Sequence, residues 1–89
     1  PNVCIEALAA RRPLITNTEC GVAEILTPGT DAWVVPPRDI DALSAAIGEV
    51  LSDPARALLV ADAGYRRYAE HCTPSHMVQP IERELCALL

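Results

Sequence analysis

Cysteine and histidine, the side chains that most often bind metals or act as nucleophiles, are scattered along this chain of 89 residues. The chain has no Cys-x-x-Cys pair, and no set of cysteines and histidines has the spacing of zinc ligands. We therefore predict no metal site and no catalytic residue, with the histidines as ordinary polar residues and the cysteines as reduced thiols packed as small apolar groups. These residues are Cys4, Cys20, Cys72, Cys86, His71 and His76.

Two glutamates stand where a carboxylate could meet a ligand. Glu6 lies in the first predicted helix, Asn2 to Ala10, whose N-terminus carries unpaired N–H groups and a positive dipole end suited to a diphosphate. Glu24 follows Gly21, whose backbone freedom permits a tight loop. Taken alone, Glu6 on a helix would normally be a solvated surface residue. For Glu24, a solvated or loop-anchoring role is as consistent with the sequence as contact with a ligand.

Charge and hydropathy restrict the partners. The formal net charge is −5 and the chain has no lysine, which argues against a nucleic-acid partner, since affinity for phosphate backbones comes from clustered Lys and Arg. No apolar run approaches the ~20 residues of a membrane-spanning helix. The chain opens on Pro1 with neither Met nor a signal peptide, so we expect a processed or excised segment of a cytoplasmic protein.

Helical and extended patterns alternate along the first half of the chain. Pro13 ends the first helix because it cannot continue the helical hydrogen bonds. Short runs rich in β-formers predict two buried strands, and we interpret Trp33 as a core residue rather than a platform for sugar stacking. The predicted elements are a strand at 13–17, a loop at 18–21, a helical turn at 22–26, a turn at 28–31 and a strand at 33–35.

Three longer helices are predicted to follow. Asp39 caps the first of them, Asp53 with Pro54 starts the second, and Thr73-Pro74 starts the last, which we expect to be kinked near Pro80. Each helix carries an apolar stripe. The stripes are Leu43, Ile47, Val50 and Leu51; Leu58, Ala61, Tyr65 and Tyr68; and Val78, Ile81, Leu85 and Leu88.

Two strands joined by a helical crossover imply a parallel pair, and hence an α/β fold. We predict a partial Rossmann-like unit with about two parallel strands and four to five helices. Residues 1–89 form a single domain, in which 1–51 hold two βα units and 52–89 hold the C-terminal helices. Two strands are too few for a self-sufficient parallel sheet, so the domain is expected to be incomplete.

Several ordered motifs resemble the donor-binding half of the group 1 retaining glycosyltransferases, which have the GT-B fold. In outline that family reads E-G-x-P-N-V-x-x-E-A-x-A-x-G-x-P-V-I, then G-G-x-x-E, D-G-x-x-G and P-x-D. The resemblance extends from Pro1 to about Leu51, and the later helices match by pattern only. The matching segments are PNVCIEALAA at 1–10, PLIT at 13–16, GVAEI at 21–25, GTD at 29–31, VP at 35–36 and Asp39.

The resemblance implies a site for the nucleotide-sugar donor, a UDP-, GDP- or ADP-sugar, with no cofactor and no required metal. Glu6 matches the second glutamate of the family's E-x7-E motif, which binds the ribose hydroxyls. The implied donor-binding residues are Asn2, Val3, Glu6, Gly21 and Glu24. The first glutamate would fall three positions before Pro1, and the basic pair that contacts phosphate also lies upstream, so we expect this chain to be inactive alone.

Two positions depart from the family pattern. Arg12 stands where family members usually have glycine, and Cys20 replaces the first glycine of the Gly-Gly pair. A side chain at position 20 would narrow a loop that normally lies close to donor phosphates or sugar. These departures put the donor preference in question.

A second hypothesis is a non-catalytic α/β interaction module that self-associates or binds a protein partner. An unpaired edge of a parallel sheet and uncovered apolar faces favour association. We therefore expect a homo-oligomer, formed by exchange of the last helix. A third interpretation is a related GT-B protein, such as an epimerase or a glycan phosphorylase, which would differ in residues upstream of Pro1.

Overall fold

The structure is a computed structural model that describes residues 2–71. The last predicted helix, with its kink at Pro80, lies outside these residues, as do Cys72, His76 and Cys86. Along the described chain the elements are α1 (Asn2–Ala9), β1 (Ile15–Asn17), a 3-10 helix (Gly21–Ile25), β2 (Trp33–Val35), α2 (Ile40–Ser52) and α3 (Pro54–His71).

The two strands are parallel, with Ile15 opposite Trp33 and Asn17 opposite Val35. The α/β class and the partial Rossmann-like unit are thus confirmed. The described residues contain three α-helices and one 3-10 helix, and the last helix of the four to five predicted lies outside them. His71 is the last residue of α3.

Helices cover both faces of the sheet. On one face, α1 and the 3-10 helix pack over a core of larger aliphatic side chains: Ile5, Leu8, Leu14, Val22 and Leu26, with Ala32 and Tyr68. On the other face, α2 packs over Trp33, with Ala46, Ala57 and Val60 around it. Because α3 contacts both α1 and α2, it joins the two layers at one side of the sheet. Trp33 is buried in this core, as predicted.

A left-handed residue ends α1. Arg11 has φ 57°, and the N–H groups of Arg11 and Arg12 donate to the carbonyl oxygens of Leu8 and Ala7 at 3.1 and 2.9 Å. This is the hydrogen-bond pattern of the Schellman motif, whose left-handed position favours glycine. Arg11, rather than the predicted Arg12, therefore occupies the position that favours glycine. The Arg11 guanidinium lies 4.2 Å from the centre of the Tyr65 ring, which ties α1 to α3.

The loop between the 3-10 helix and β2 is built around a buried carboxylate. One oxygen of Asp31 accepts the Thr27 N–H at 2.9 Å and lies 3.4 Å from the Arg67 Nε. The loop turns at Gly29, where φ is 81°. Gly64 of α3 lies against this loop so closely that a Cβ there would be 2.7 Å from the Asp31 carbonyl oxygen. The predicted turn at 28–31 is thus also a packing point for α3.

Both predicted caps of the longer helices are present. The Asp39 carboxylate accepts the Ala42 N–H at 2.9 Å, and the Asp53 carboxylate accepts the Arg56 N–H at 3.1 Å, each satisfying a backbone donor that the helix leaves free.

The stripes predicted on α2 and α3 are only partly buried. In α2 the buried residue is Ala46, with Val50 half-buried, and in α3 the buried residues are Ala57, Val60, Ala61, Gly64 and Tyr68. Four residues of these stripes are exposed, because small residues let the helices approach the sheet and leave their larger neighbours outside. Those neighbours are Leu43, Ile47, Leu51 and Leu58.

Candidate functional site

The first turn of α1 lies at the carboxyl end of β1. The Cys4 Sγ is 3.8 Å from the Thr16 Oγ1 and 3.7 Å from the Cys20 Sγ. Thr16 is in β1, and Cys20 follows that strand by three residues. The beginning of α1 is therefore at the edge where ligands bind in open α/β sheets, beyond the carboxyl ends of the strands.

The outward face of α1 presents Val3 and Glu6 to solvent. Both side chains are exposed, whereas Ile5 and Leu8 are buried on the opposite face. Val3 and Glu6 are neighbours on the helix surface because residues three positions apart share a face. The backbone of Asn2 begins the helix, and no acidic side chain occupies its first turn. Within residues 2–71, Glu6 is therefore an exposed carboxylate one turn into a helix whose first turn has no acidic side chain.

The other two predicted donor residues lie in the 3-10 helix. Gly21 begins this helix and Glu24 lies within it, and both are exposed. Val22 is buried and holds the segment against the core. Within residues 2–71, Gly29 is the glycine with positive φ, so the backbone does not require glycine at position 21 for a left-handed turn.

The structure brings the two predicted segments into contact through Cys4 and Cys20. Cys4 is flanked by Val3 in α1, and Cys20 immediately precedes Gly21, so the thiol contact sets the spacing between α1 and the 3-10 helix. No contact between Glu6 and Glu24 is part of this arrangement.

The surroundings shift the pKa values of the two thiols in opposite directions. Burial raises the pKa of the Cys4 thiol. Burial acts in the same direction on Cys20, but its hydrogen bonds with Thr16, the Val22 backbone and Cys4 outweigh that effect and hold the Cys20 pKa below its usual value. Both cysteines are half-buried, and their reduced state stays a prediction. They pack at the border of the α1-side core.

Sequence reasoning missed a second feature of the same sheet edge. A pocket of about 160 Å³ lies beyond the ends of both strands, on the α2 side of the sheet. Arg38 at its rim has φ 61° and pairs with Glu19, with 3.0 Å between the Arg38 Nη2 and the Glu19 Oε1. The only sequence signal for this pocket was an arginine after the two prolines that end β2. The lining residues are Ile15, Thr16, Asn17, Val35, Pro36, Pro37, Arg38, Asp39 and Leu43.

None of the predicted donor residues lines this pocket. Val3, Glu6, Gly21 and Glu24 belong to α1 and the 3-10 helix, which cover the opposite face of the sheet. The carboxyl edge therefore presents two groups of polar side chains, one on each side of the strands. In the part of the chain that the structure describes, no helix combines the length and hydropathy needed to cross a membrane.

Comparison with known proteins identifies relatives with named activities. Glycogen synthase of Mycobacterium tuberculosis is 40% identical over 65 residues, which are 73% of this chain and 16% of that protein. A GDP-mannose-dependent alpha-(1-6)-phosphatidylinositol monomannoside mannosyltransferase of Mycolicibacterium smegmatis is 36% identical over 62 residues, 70% of this chain and 16% of that protein.

A third relative is the MMP alpha-(1->4)-mannosyltransferase of Mycolicibacterium hassiacum, 33% identical over 67 residues, 74% of this chain and 16% of that protein. The chain thus spans about one sixth of the length of the curated relatives that it matches. No solved structure gives a significant match. The family described as glycosyl transferases group 1 matches residues 1–67, through both strands and most of α3. This chain therefore belongs to the group 1 glycosyl transferases.

Proposed function

We propose that this chain supplies part of the donor nucleotide-sugar site of a retaining glycosyltransferase, with Glu6 as the group that binds the ribose. The observation that carries the proposal is the position of Glu6. It is an exposed carboxylate on a helix whose first turn contacts Thr16 within a parallel strand and Cys20 just after that strand. A carboxylate accepts two hydrogen bonds in a forked geometry, which matches the two vicinal hydroxyls of a ribose.

The surroundings of α1 are suited to the diphosphate of the same ligand. The helix N-terminus provides backbone N–H donors and positive potential, and its first turn has no competing acid. Gly21 and Glu24 are exposed on the adjacent 3-10 helix, where they would border the sugar or phosphate. The chain contains no lysine, and the side chain of Arg11 is stacked on Tyr65, so little of the phosphate charge is balanced by side chains of α1. We therefore propose weak donor binding and no turnover by the isolated chain.

The direct test is titration calorimetry of the chain with UDP, GDP and ADP. GDP is included because one relative is named for GDP-mannose. Substituting Glu6→Gln removes the charge but keeps the shape, and a lost hydrogen bond to a charged group is worth about 1.5–3 kcal/mol. We expect the preferred nucleotide to bind roughly 10–100-fold more weakly to this variant.

A matched control is Asp41→Asn, an exposed carboxylate in the first turn of α2 on the opposite face of the sheet. It removes the same charge from the chain and should leave nucleotide affinity unchanged. Equal losses from Glu6→Gln and Asp41→Asn would mean that net charge alone sets the affinity, which would overturn the role of Glu6. Turnover of a UDP- or GDP-sugar by the wild-type chain above the Glu6→Gln background would overturn the proposed inactivity.

Self-association is a second candidate, favoured by a specific observation. Ile40, Leu51, Leu58 and Leu59 are each at least 68% exposed, on α2 and α3. Leu58 and Leu59 are adjacent in α3, and exposed apolar patches are characteristic of surfaces that contact another molecule. We propose that copies of the chain associate through these helices, and sedimentation should show dimers that dissociate in Leu58→Glu. A monomer at every concentration would exclude this candidate. We also propose a cytoplasmic location, a compartment in which cysteines are kept as thiols.

A further inference from the structure

We propose that Cys4 and Cys20 form a redox-active dithiol that a small-molecule disulfide converts to an intramolecular disulfide joining α1 to the 3-10 helix. The two Sγ atoms are 3.7 Å apart, although the residues are separated by sixteen positions. A disulfide bond needs an S–S separation of about 2.05 Å, so the two sulfur atoms need to move closer by roughly 1.7 Å.

Both attachment points can supply this movement. Cys4 lies in the first turn of an eight-residue helix. Cys20 is itself the residue that precedes the 3-10 helix, and its backbone is extended, with φ −76° and ψ 130°. Neither cysteine is fully buried, so a small disulfide reagent can reach at least one sulfur from solvent. Thr16 faces both thiols from β1, and its hydroxyl contacts the Cys4 sulfur at 3.8 Å.

The chemistry is thiol–disulfide exchange in two steps. The Cys20 thiolate attacks one sulfur of the reagent, an S–S bond forms to Cys20, and the reagent's other sulfur leaves as a thiolate that takes up a proton. Cys4 then loses its proton to solvent, attacks the Cys20 sulfur and displaces the second reagent thiolate. Two protein thiols are oxidised, and one reagent disulfide is reduced to two thiols.

The order of attack follows from the environments of the two sulfurs. The pKa of Cys20 is lowered by its hydrogen bonds and the pKa of Cys4 is raised by burial, so Cys20 loses its proton more readily than Cys4. Cys4 then acts as the resolving thiol, because it lies within contact distance of Cys20 and needs no large rearrangement.

The bond would alter the surface that carries the proposed donor residues, a consequence that rests on the proposed function. Val3 adjoins Cys4 and Gly21 adjoins Cys20, so closing the S–S bond draws the first turn of α1 towards the start of the 3-10 helix. A donor held between these two segments would lose room and amide geometry on oxidation.

The experiment uses the full 89-residue chain incubated with oxidised glutathione, followed by alkylation, proteolysis and mass spectrometry. We expect a linked pair of peptides containing Cys4 and Cys20 to dominate over pairs with Cys72 or Cys86. The midpoint of thermal unfolding should rise by about 10 °C, because the cross-link removes entropy from the unfolded chain. A chain in which these two cysteines stay as thiols, or pair mainly with other cysteines, overturns the proposal.

Two single substitutions separate the steps. Cys4→Ser should stop the reaction at a stable glutathione adduct on Cys20, and Cys20→Ser should leave Cys4 as a slowly reacting thiol. Equal adduct formation on the two variants would overturn the assigned roles. A serine variant that loses its fold is recognised by its thermal melt, and the peptide map of the wild-type chain then decides alone.

Nucleotide titration of the reduced and oxidised chains tests the consequence for the donor site. We expect binding at least about fivefold weaker in the oxidised chain, and reversal by dithiothreitol. If the disulfide forms while affinity stays the same, the link to donor binding is overturned. If the reduced chain binds no nucleotide, the proposed function fails, whereas the dithiol is still judged by the peptide map.

Discussion

On the α1 side of the sheet, large aliphatic side chains fill the core, whereas the α2 side has small residues inside and large aliphatic ones outside. Leu8 is 1% exposed and Ile5 is 2% exposed in the first core. In the second core Ala46 and Ala57 are buried against Trp33, while Leu51 and Leu58 are 74% and 68% exposed. The same apolar residue types thus have different structural roles on the two sides.

The difference follows from the one large residue of the second core. Trp33 fills the space between β2 and the helices, so close packing leaves room only for alanines and a valine beside it. The leucines and isoleucines of α2 and α3 are then displaced to the outside. On the α1 side no such ring is present in the strands, and the aliphatic side chains themselves fill the space.

The largest expected contrast is between two identical substitutions, one on each side. Leu8→Ala should lower the free energy of unfolding by about 2–5 kcal/mol, because it deletes a fully buried side chain. At concentrations at which the chain is monomeric, Leu58→Ala should change it by less than about 0.5 kcal/mol. Urea denaturation followed by circular dichroism measures both. Comparable losses would show that Leu58 is covered in solution, and the contrast between the two sides would fail.

The next contrast uses the two glycines of the long helices. Gly64→Ala should cost about 1–3 kcal/mol of unfolding free energy, because its Cβ would lie 2.7 Å from the Asp31 carbonyl oxygen and 3.0 Å from Leu8.

Gly48→Ala is the matched control for Gly64→Ala. A Cβ at position 48 of α2 meets no atom within 4 Å, so alanine should stabilise the helix by about 0.5–1 kcal/mol. Opposite signs in thermal melts would confirm that α3, and not α2, makes the close approach. Stabilisation by both substitutions would contradict this packing.

The hydrogen bond between Trp33 and Glu49 should contribute less to the free energy of unfolding than the packing at Leu8 or Gly64. The Trp33 Nε1 donates to the Glu49 carboxylate at 2.8 Å at the rim of the core. A double-mutant cycle with Trp33→Phe and Glu49→Ala should give a coupling free energy of about 1 kcal/mol. Tryptophan fluorescence of the Glu49→Ala protein reports the same contact independently. Additive effects in the cycle would mean that Trp33 is held by its packing alone.

The smallest effect is expected where α1 ends. Arg11→Ala keeps the left-handed backbone and loses the stacking on Tyr65, so it should cost about 0.5–1 kcal/mol. Arg11→Gly loses the same contact but removes the left-handed penalty of about 1 kcal/mol, and should be nearly neutral. Arg12→Ala serves as the control, since Arg12 is exposed. If Arg12→Ala costs as much as Arg11→Ala, the stacking on Tyr65 does not stabilise the chain.

Local signals accounted for the elements and their ends. The caps at Asp39 and Asp53, the turn at Gly29 and both strands could be predicted because each depends on residues a few positions apart. The apolar stripes were less predictable. Periodicity shows which residues share a helix face, but residue size and the neighbouring element decide which face is buried.

The sequence predicted part of the candidate site, as it predicted part of the fold. The motif placed Glu6 on a helix near a strand end, and the structure has that carboxylate exposed there. The assignment of donor binding to Asn2, Val3, Glu6, Gly21 and Glu24 stays a prediction. Arg38 and its pair with Glu19 were missed, because an arginine after Pro36-Pro37 has no local pattern that marks it.

The sequence by itself determined the order of elements, the α/β class and the family, since those depend on short-range propensities and on motifs read along the chain. Only the tertiary structure decided that Cys4 meets Cys20, that Arg11 stacks on Tyr65, and that Leu58 faces outward. These outcomes depend on how separate elements pack. Contacts between residues distant in sequence arise from the shapes of whole elements, which no local pattern encodes.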